Sequence, residues 1–220
     1  MKTVIVACKR IEDELEFAMK NTGSSYPVLW VEGELHNTPS KLTDRLNEVI
    51  YEADADRVLM GFGFCGNSVR GIRAGKSELI IPRVDDCISL LLGSVKKRMK
   101  LSSDLAAFYL TESWMRSEDN LWKEYQASIE KYGEEDAMYI MDTQLAHYRT
   151  LGLLDCGAKP LDSFIESTKI IAEIFKLEQL VIPATLSYIE QLLTGPWPEC
   201  GFLVKPPGVS IEMEDLVVFY

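Results

Sequence analysis

The run Thr3-Val-Ile-Val-Ala7, which ends directly before Cys8, is the segment that decides the fold. Two further short apolar runs follow it, Val58-Leu-Met-Gly-Phe62 and Leu79-Ile-Ile-Pro82. Apolar runs of this length, bounded by turn residues, are typical of strands that are buried on both faces of a parallel sheet. The sequence therefore predicts that these three runs lie side by side as the centre of one sheet.

Helix signals alternate with the strand signals in this part of the chain. Ile11, Leu15 and Ala18 recur at helical spacing after the first run. Val28–Val31 reads as a second strand, and Thr38-Pro39 then opens another helix, with Thr38 as the N-cap and Pro39 at the first helical position. This βαβαβ pattern predicts parallel strands joined by right-handed crossovers.

The second half of the chain carries more helix signals than strand signals. We expect helices over residues 121–131, 134–151, 161–176 and 186–193, and strands over residues 105–110, 180–182, 202–204 and 216–219. The prediction is an α/β fold: a mainly parallel, twisted, Rossmann-like sheet of four to five strands flanked by helices, with a helical C-terminal portion. We expect a single domain over residues 1–220, in which 1–115 form the parallel core and 116–220 pack on it as a mostly helical second half.

Composition narrows the class of protein. The formal net charge of −11 argues against a nucleic-acid surface, which needs clustered Lys and Arg to neutralise phosphates. No apolar run approaches the ~20 residues that span a bilayer, and we expect no secretory leader, because Met1-Lys2 leads directly into the first strand. We therefore expect a cytoplasmic protein that binds neither nucleic acid nor membrane, in which cysteines stay reduced and are buried, catalytic or metal-binding.

Three of the five cysteines follow the three apolar runs. Cys8 comes directly after the first run, Cys65 lies four residues after Gly61, and Cys87 ends the segment Arg83-Val-Asp-Asp-Cys87. Carboxyl ends of parallel strands meet at one edge of a sheet, where open α/β sheets bind their ligands. Groups of three or four thiolates, alone or with His or a carboxylate, hold zinc or iron–sulfur clusters. We expect Cys8, Cys65 and Cys87 to be metal ligands, with zinc or an iron–sulfur cluster as the cofactor.

Other polar residues and glycines fall near the same edge. No C-x-x-C pair is present, so such a site must be assembled from distant segments. The glycines allow the backbone to approach a ligand closely, and the acids and the histidine can supplement the thiols. The expected ligand-binding residues are Gly63, Gly66, Asn67, Asp85, Asp86 and His36.

Two other interpretations of this region stay open. A free cysteine at a strand end is often a small buried hydrophobe, and this applies to each of the three taken singly. Alternatively, Cys65 or Cys87 serves as the thiol of a metal-free enzyme, either a racemase-like proton carrier or a group that transfers methyl or thiol groups. The spacing Gly61-Phe-Gly63-Phe-Cys-Gly66 matches a dinucleotide fingerprint, but Gly71 and Gly75 interrupt the helix that such a site needs.

Several segments together resemble one protein family. These segments are Ile5-Val-Ala-Cys8, Leu35-His-Asn-Thr-Pro39, Gly61-Phe-Gly-Phe-Cys-Gly-Asn67, Ile81-Pro-Arg-Val-Asp-Asp-Cys87 and Phe202-Leu-Val-Lys-Pro-Pro-Gly208. The chain resembles an uncharacterised bacterial and archaeal family, domain of unknown function 1638. The resemblance is most specific around Cys65 and Cys87, and this chain has Asp85 where the family usually has His.

The resemblance implies a context and not an activity. Members of the family often accompany corrinoid-dependent methyltransferases for methylamines and related one-carbon donors. The resemblance therefore implies an accessory protein of one-carbon metabolism that carries a metal or an iron–sulfur cluster, with a corrinoid protein or a methyltransferase as partner and a small-molecule ligand. A non-enzymatic protein that binds such a partner or a corrinoid is a further alternative.

Overall fold

The computed structural model describes residues 1–218, which form an α/β fold with one mostly parallel sheet of five strands and a second, parallel sheet of three. The strands are β1 Thr3–Cys8, β2 Val28–Val31, β3 Arg57–Gly61, β4 Glu78–Pro82, β5 Ala107–Leu110, β6 Thr150–Asp155, β7 Glu178–Pro183 and β8 Phe202–Lys205. The α-helices are α1 Glu12–Thr22, α2 Pro39–Ala53, α3 Cys87–Leu92, α4 Val95–Leu105, α5 Glu112–Met115, α6 Leu121–Tyr132, α7 Glu134–Leu145, α8 Leu161–Ile174 and α9 Ser187–Thr194.

The first sheet has the strand order β2-β1-β3-β4-β8. Strands β1 to β4 are parallel, and β8 pairs with β4 in the antiparallel direction, with Ile80 opposite Val204. The side chains of β1, β3 and β4 are buried on both faces, since alternate residues such as Ile5 and Val6 enter two different core clusters. The three apolar runs thus form the adjacent central strands, as predicted.

The prediction of a mostly helical second half missed a second sheet. Strands β5, β6 and β7 form a separate parallel sheet in that order, and β6 begins at Thr150. The predicted helix over residues 134–151 was therefore too long, because α7 ends at Leu145. Strand β6 lies between two neighbours and is buried over Thr150–Leu154, so its sequence lacks the alternation that marks a half-buried strand.

The two sheets share one hydrophobic core. Ile5 and Leu59 of the first sheet belong to the same buried cluster as Tyr109 and Leu154 of the second. Helix α9 adds Leu192 to that cluster. The C-terminal segment thus completes the core of the N-terminal sheet.

Two smaller predictions, a strand near the C-terminus and a helix N-cap, differ from the structure in part. No strand is formed by residues 216–218, so the strand predicted over residues 216–219 is wrong as far as it is described, and Phe219 lies outside the described residues. Thr38 precedes α2 as predicted, but its side chain makes no capping hydrogen bond. Within residues 1–218, no helix combines the length and the apolar character needed to cross a bilayer.

Candidate functional site

The thiols that follow β1, β3 and β4 line one cavity. The cavity has a volume of about 260 Å³ and lies at the carboxyl edge of the first sheet, with Cys8, Cys65 and Cys87 in its wall. The three residues come from three adjacent parallel strands, since β1 pairs with β3 and β3 pairs with β4. The edge predicted from the sequence is therefore the place where these side chains meet.

The loop after β3 is bound to the loop after β4. The backbone amide of Phe64 donates to the carbonyl of Val84, and the amide of Cys65 donates to the carbonyl of Asp85, both at 2.8 Å. Gly63 lies so close to the second loop that a Cβ at this position would stand 2.8 Å from the Asp86 backbone. These contacts place the Cys65 thiol beside the start of α3.

The tip of this loop has an uncommon backbone conformation. Cys65, Gly66 and Asn67 take φ angles of 43°, 66° and 67°. Left-handed backbone is unfavourable for a residue with a Cβ, and its presence at Cys65 marks a position that the surrounding structure over-determines. Such residues cluster at binding sites, so the conformation of Cys65 is consistent with a functional loop.

Cys87 is held by a helix start. It is the first residue of α3, and Asp86 caps this helix by accepting a hydrogen bond from the Ser89 amide at 2.8 Å. Burial raises the pKa of Asp86. Asp85 pairs with Arg98 and does not line the cavity, while Asp86 contributes to the cavity wall.

The remaining predicted residues divide into two groups. His36, Gly63 and Gly66 line the cavity together with Asp86, whereas Asn67 is exposed and, like Asp85, does not line it. His36 Nδ1 lies 2.5 Å from the Gly33 carbonyl, and Nε2 lies 3.4 Å from Arg10 Nη1. The histidine therefore stands at the wall with both ring nitrogens near protein groups.

Two further residues, which were not predicted from the sequence, also line the cavity. Arg10 is only 5% exposed, pairs with Asp119, and places its guanidinium 4.1 Å from the ring centroid of Trp114. Both Arg10 and Trp114 line the cavity. Arg10 follows Cys8 by two residues and Trp114 follows β5, so each stands just beyond a strand end, which is the signal that could have identified them.

The thiols of this cavity are protonated near neutral pH. Burial raises the pKa of Cys8, that of Cys65 to about 12, and that of Cys87 well above its ordinary value. The neighbouring thiols add to the shift at Cys65 and Cys87. A thiolate in this cavity therefore needs a positive charge beside it.

The site is not arranged around one ion. Within residues 1–218, no three His, Cys, Asp or Glu side chains are gathered closely enough to hold a single metal ion. The cavity volume of about 260 Å³ is also much larger than one ion needs, since even a water molecule needs only about 10–15 Å³. The three thiols thus line a space that is larger than a single ion.

The other two cysteines lie elsewhere. Cys200 is exposed, and Cys156 lines a separate cavity of about 20 Å³ with Glu14. Burial raises the pKa of Cys156 to about 11, and the nearby Glu14 carboxylate adds to the shift. All five cysteines are free thiols.

The dinucleotide fingerprint also lacks its helix, because residues 62–77 contain none.

Comparison with known proteins gives one family. The family described as "Protein of unknown function (DUF1638)" matches residues 30–193 of the 220 residues. The matched segment includes Cys65, Cys87 and His36. No curated protein and no solved structure matches the chain.

Proposed function

The chain belongs to the DUF1638 family of proteins of unknown function, and we propose that it binds an iron–sulfur cluster through Cys8, Cys65 and Cys87. One observation carries this proposal: the three thiols that follow three adjacent parallel strands line the same cavity. Three packing cysteines need not meet in this way, whereas cluster ligation requires it.

A bound cation would change the protonation state of the cavity thiols. Burial holds the three thiols in the neutral form, and a bound iron centre would favour the thiolates. Metal binding at such a site releases protons from the thiols, so the affinity of the site for iron should rise with pH.

The size of the cavity favours a cluster over a single zinc ion. Zinc needs its sulfurs at ~2.3 Å from one centre, and the described side chains form no such group. A cluster attaches its thiolates to different irons, so it accepts sulfurs that stand further apart. The volume of about 260 Å³ is compatible with a group of this size.

A metal-free thiol enzyme is the weaker candidate. Its nucleophile or proton carrier would be the thiolate of Cys65 or Cys87, and a reactive cysteine is marked by a depressed pKa. Burial shifts the pKa of both thiols upward instead, that of Cys65 to about 12.

The biological setting is part of the same proposal. We propose a cytoplasmic accessory role in corrinoid-dependent one-carbon metabolism, with a corrinoid protein or a methyltransferase as partner, because of the family resemblance and the thiol site. Affinity purification from a host grown on methylated amines tests this role. Recovery of a methyltransferase or a corrinoid protein supports it, and their absence from the purified material contradicts it.

The cluster itself is tested by anaerobic reconstitution with ferrous iron and sulfide. We expect a broad visible absorption band from sulfur-to-iron charge transfer in the wild-type chain. Cys65→Ala should lose most of this band, whereas Cys200→Ala, which removes an exposed thiol outside the cavity, should keep it. A band of equal intensity in wild type and Cys65→Ala contradicts the assignment.

A further inference from the structure

A second cavity adjoins the thiol cavity. It has a volume of about 420 Å³, and Asp86, Ile88 and Trp114 line both spaces. Small-molecule sites occupy roughly 300–1,000 Å³. We propose that this second cavity binds a planar aromatic heterocycle that is rich in hydrogen-bond acceptors. The proposal goes beyond cluster binding and does not depend on it.

Aromatic side chains form one side of this cavity. The Phe108 ring lies 6.1 Å from the Trp114 ring and 5.4 Å from the Tyr148 ring, and all three residues line the space. Tyr148 is 39% exposed, so its ring is accessible from outside. Such a surface favours a flat ring system, because stacking on aromatic side chains stabilises any ligand with a π face.

The same wall carries hydrogen-bond donors that lack acceptors. Arg98 Nε and Trp114 Nε1 are buried, and within residues 1–218 neither atom has a hydrogen-bond partner. Arg98 is held by two carboxylates, since another nitrogen of its guanidinium pairs with Asp85, and Nε itself lies 3.8 Å from Asp86 Oδ2, which is too long for a hydrogen bond. A buried donor without an acceptor costs about 1–3 kcal/mol.

These donors select the chemistry of the ligand. Both side chains line the cavity, and a change of rotamer, which is common on binding, would turn either donor toward a ligand in it. A ligand with ring nitrogens or carbonyl oxygens then satisfies them. Ser102 and Tyr109, whose hydroxyl oxygens lie 3.2 Å apart, line the same cavity and offer further hydrogen bonds.

Titration calorimetry with defined probes tests this inference. The probes are adenosine, guanosine and riboflavin, which carry ring acceptors, and indole, which has a flat ring and only a donor. We expect saturable binding of at least one of the three heterocycles at one site per chain, tighter than that of indole. Cys65→Ala should bind the same heterocycle equally well, so the result is separate from cluster binding.

Three substitutions test whether the heterocycle binds in the second cavity. Tyr148→Ala removes an exposed ring and should weaken binding at least about tenfold, which equals about 1.4 kcal/mol. Trp114→Phe keeps a ring but removes the Nε1 donor. It should weaken the binding of the heterocycle and leave the binding of indole unchanged. Tyr139→Ala, which removes a 74% exposed ring from α7, is the matched control and should change nothing.

Three results would overturn the inference. One is that no heterocycle shows saturable binding below about 1 mM. Another is that indole binds as tightly as the heterocycles, because acceptors would then play no part. The third is that Tyr148→Ala binds the heterocycle as tightly as Tyr139→Ala does.

Discussion

At the residue scale, the site depends on one close backbone approach. A Cβ on Gly63 would stand 2.8 Å from backbone atoms of Asp86, and backbone cannot give way as a flexible side chain can. The loops that carry Cys65 and Cys87 can therefore lie side by side only if residue 63 has no side chain.

We predict that Gly63→Ala destabilises the chain by about 1–3 kcal/mol, because the added methyl group overpacks this contact. Gly201→Ala is the matched control, since its Cβ would meet nothing closer than 3.8 Å. The free energy of unfolding in urea measures both. Equal stability of the two variants would show that the loops separate without cost.

Glu14 gives a prediction on pH. Its side chain is 4% exposed and accepts a hydrogen bond from Ser113 Oγ at 3.1 Å, and burial raises its pKa to about 7. In the unfolded chain this pKa is about 4.3. Between these values the folded chain holds a proton that the unfolded chain has released, so stability falls as pH rises and levels off above about pH 7.

Glu14→Gln should remove this dependence, because the amide imitates the protonated carboxyl group. Between about pH 5 and about pH 8, the free energy of unfolding of the wild type should fall by up to about 3 kcal/mol more than that of Glu14→Gln. Glu16→Gln, on the exposed side of the same helix, should follow the wild type. Parallel pH profiles for wild type and Glu14→Gln would contradict the raised pKa.

The sequence predicted some site residues better than others. The position of Cys8, Cys65 and Cys87 followed from strand order, because each lies just after a buried run. Arg10 and Trp114 were not singled out, although each lies just beyond a strand end, because their contact at 4.1 Å joins segments that are distant in sequence. Asp85 was expected to bind the ligand; it pairs with Arg98 and does not line the thiol cavity, and its role stays a prediction.

At the scale of elements, Asn120 joins a loop to a helix. Its side chain caps α6 by accepting from the Lys123 amide at 3.0 Å, and donates to the Met115 and Ser117 carbonyls at 2.8 and 2.7 Å. The residue is 2% exposed. The same loop carries Asp119, the partner of Arg10.

We predict that Asn120→Ala costs about 2 kcal/mol, because it removes a helix cap and leaves two carbonyls without their donor. Gln126→Ala, at an exposed position of the same helix, is the control and should stay near wild type. Chemical denaturation measures both effects. A loss below about 0.5 kcal/mol for Asn120→Ala would mean that the loop finds other partners.

Elements were predictable where their pattern was local. The apolar runs of β1, β3 and β4 and the amphipathic helices α6 and α8 were found near their observed bounds. Strand β6 was assigned in part to a helix, because a fully buried strand shows no alternation. The division into two sheets was also missed, since the pairing of β5 with β6 joins segments about 40 residues apart in sequence.

At the scale of the whole molecule, the two halves depend on each other. Strand β8 and helix α9 come from the C-terminal part but cover the N-terminal sheet, and Phe202 is fully buried there. The ion pair of Arg10 with Asp119 also joins the halves, beside the thiol cavity. The single domain expected from the sequence stays a prediction that unfolding experiments can test.

We predict that the full chain unfolds in one transition, with coincident curves from tryptophan fluorescence and far-UV circular dichroism. A fragment of residues 1–115 should show no cooperative transition, because it lacks α9 and β8. Two separate transitions in the full chain, or a cooperatively folded fragment, would establish two independent domains.

The central claim is that Cys8, Cys65 and Cys87 hold one shared cluster. Its most direct test is the measurement of iron and acid-labile sulfide per chain after strictly anaerobic purification. We predict iron and sulfide in comparable amounts, well above one equivalent of each, in the wild-type chain and in Cys200→Ala, with both lost in Cys65→Ala. Less than one equivalent of iron in the wild-type chain, unchanged by Cys65→Ala, would contradict it.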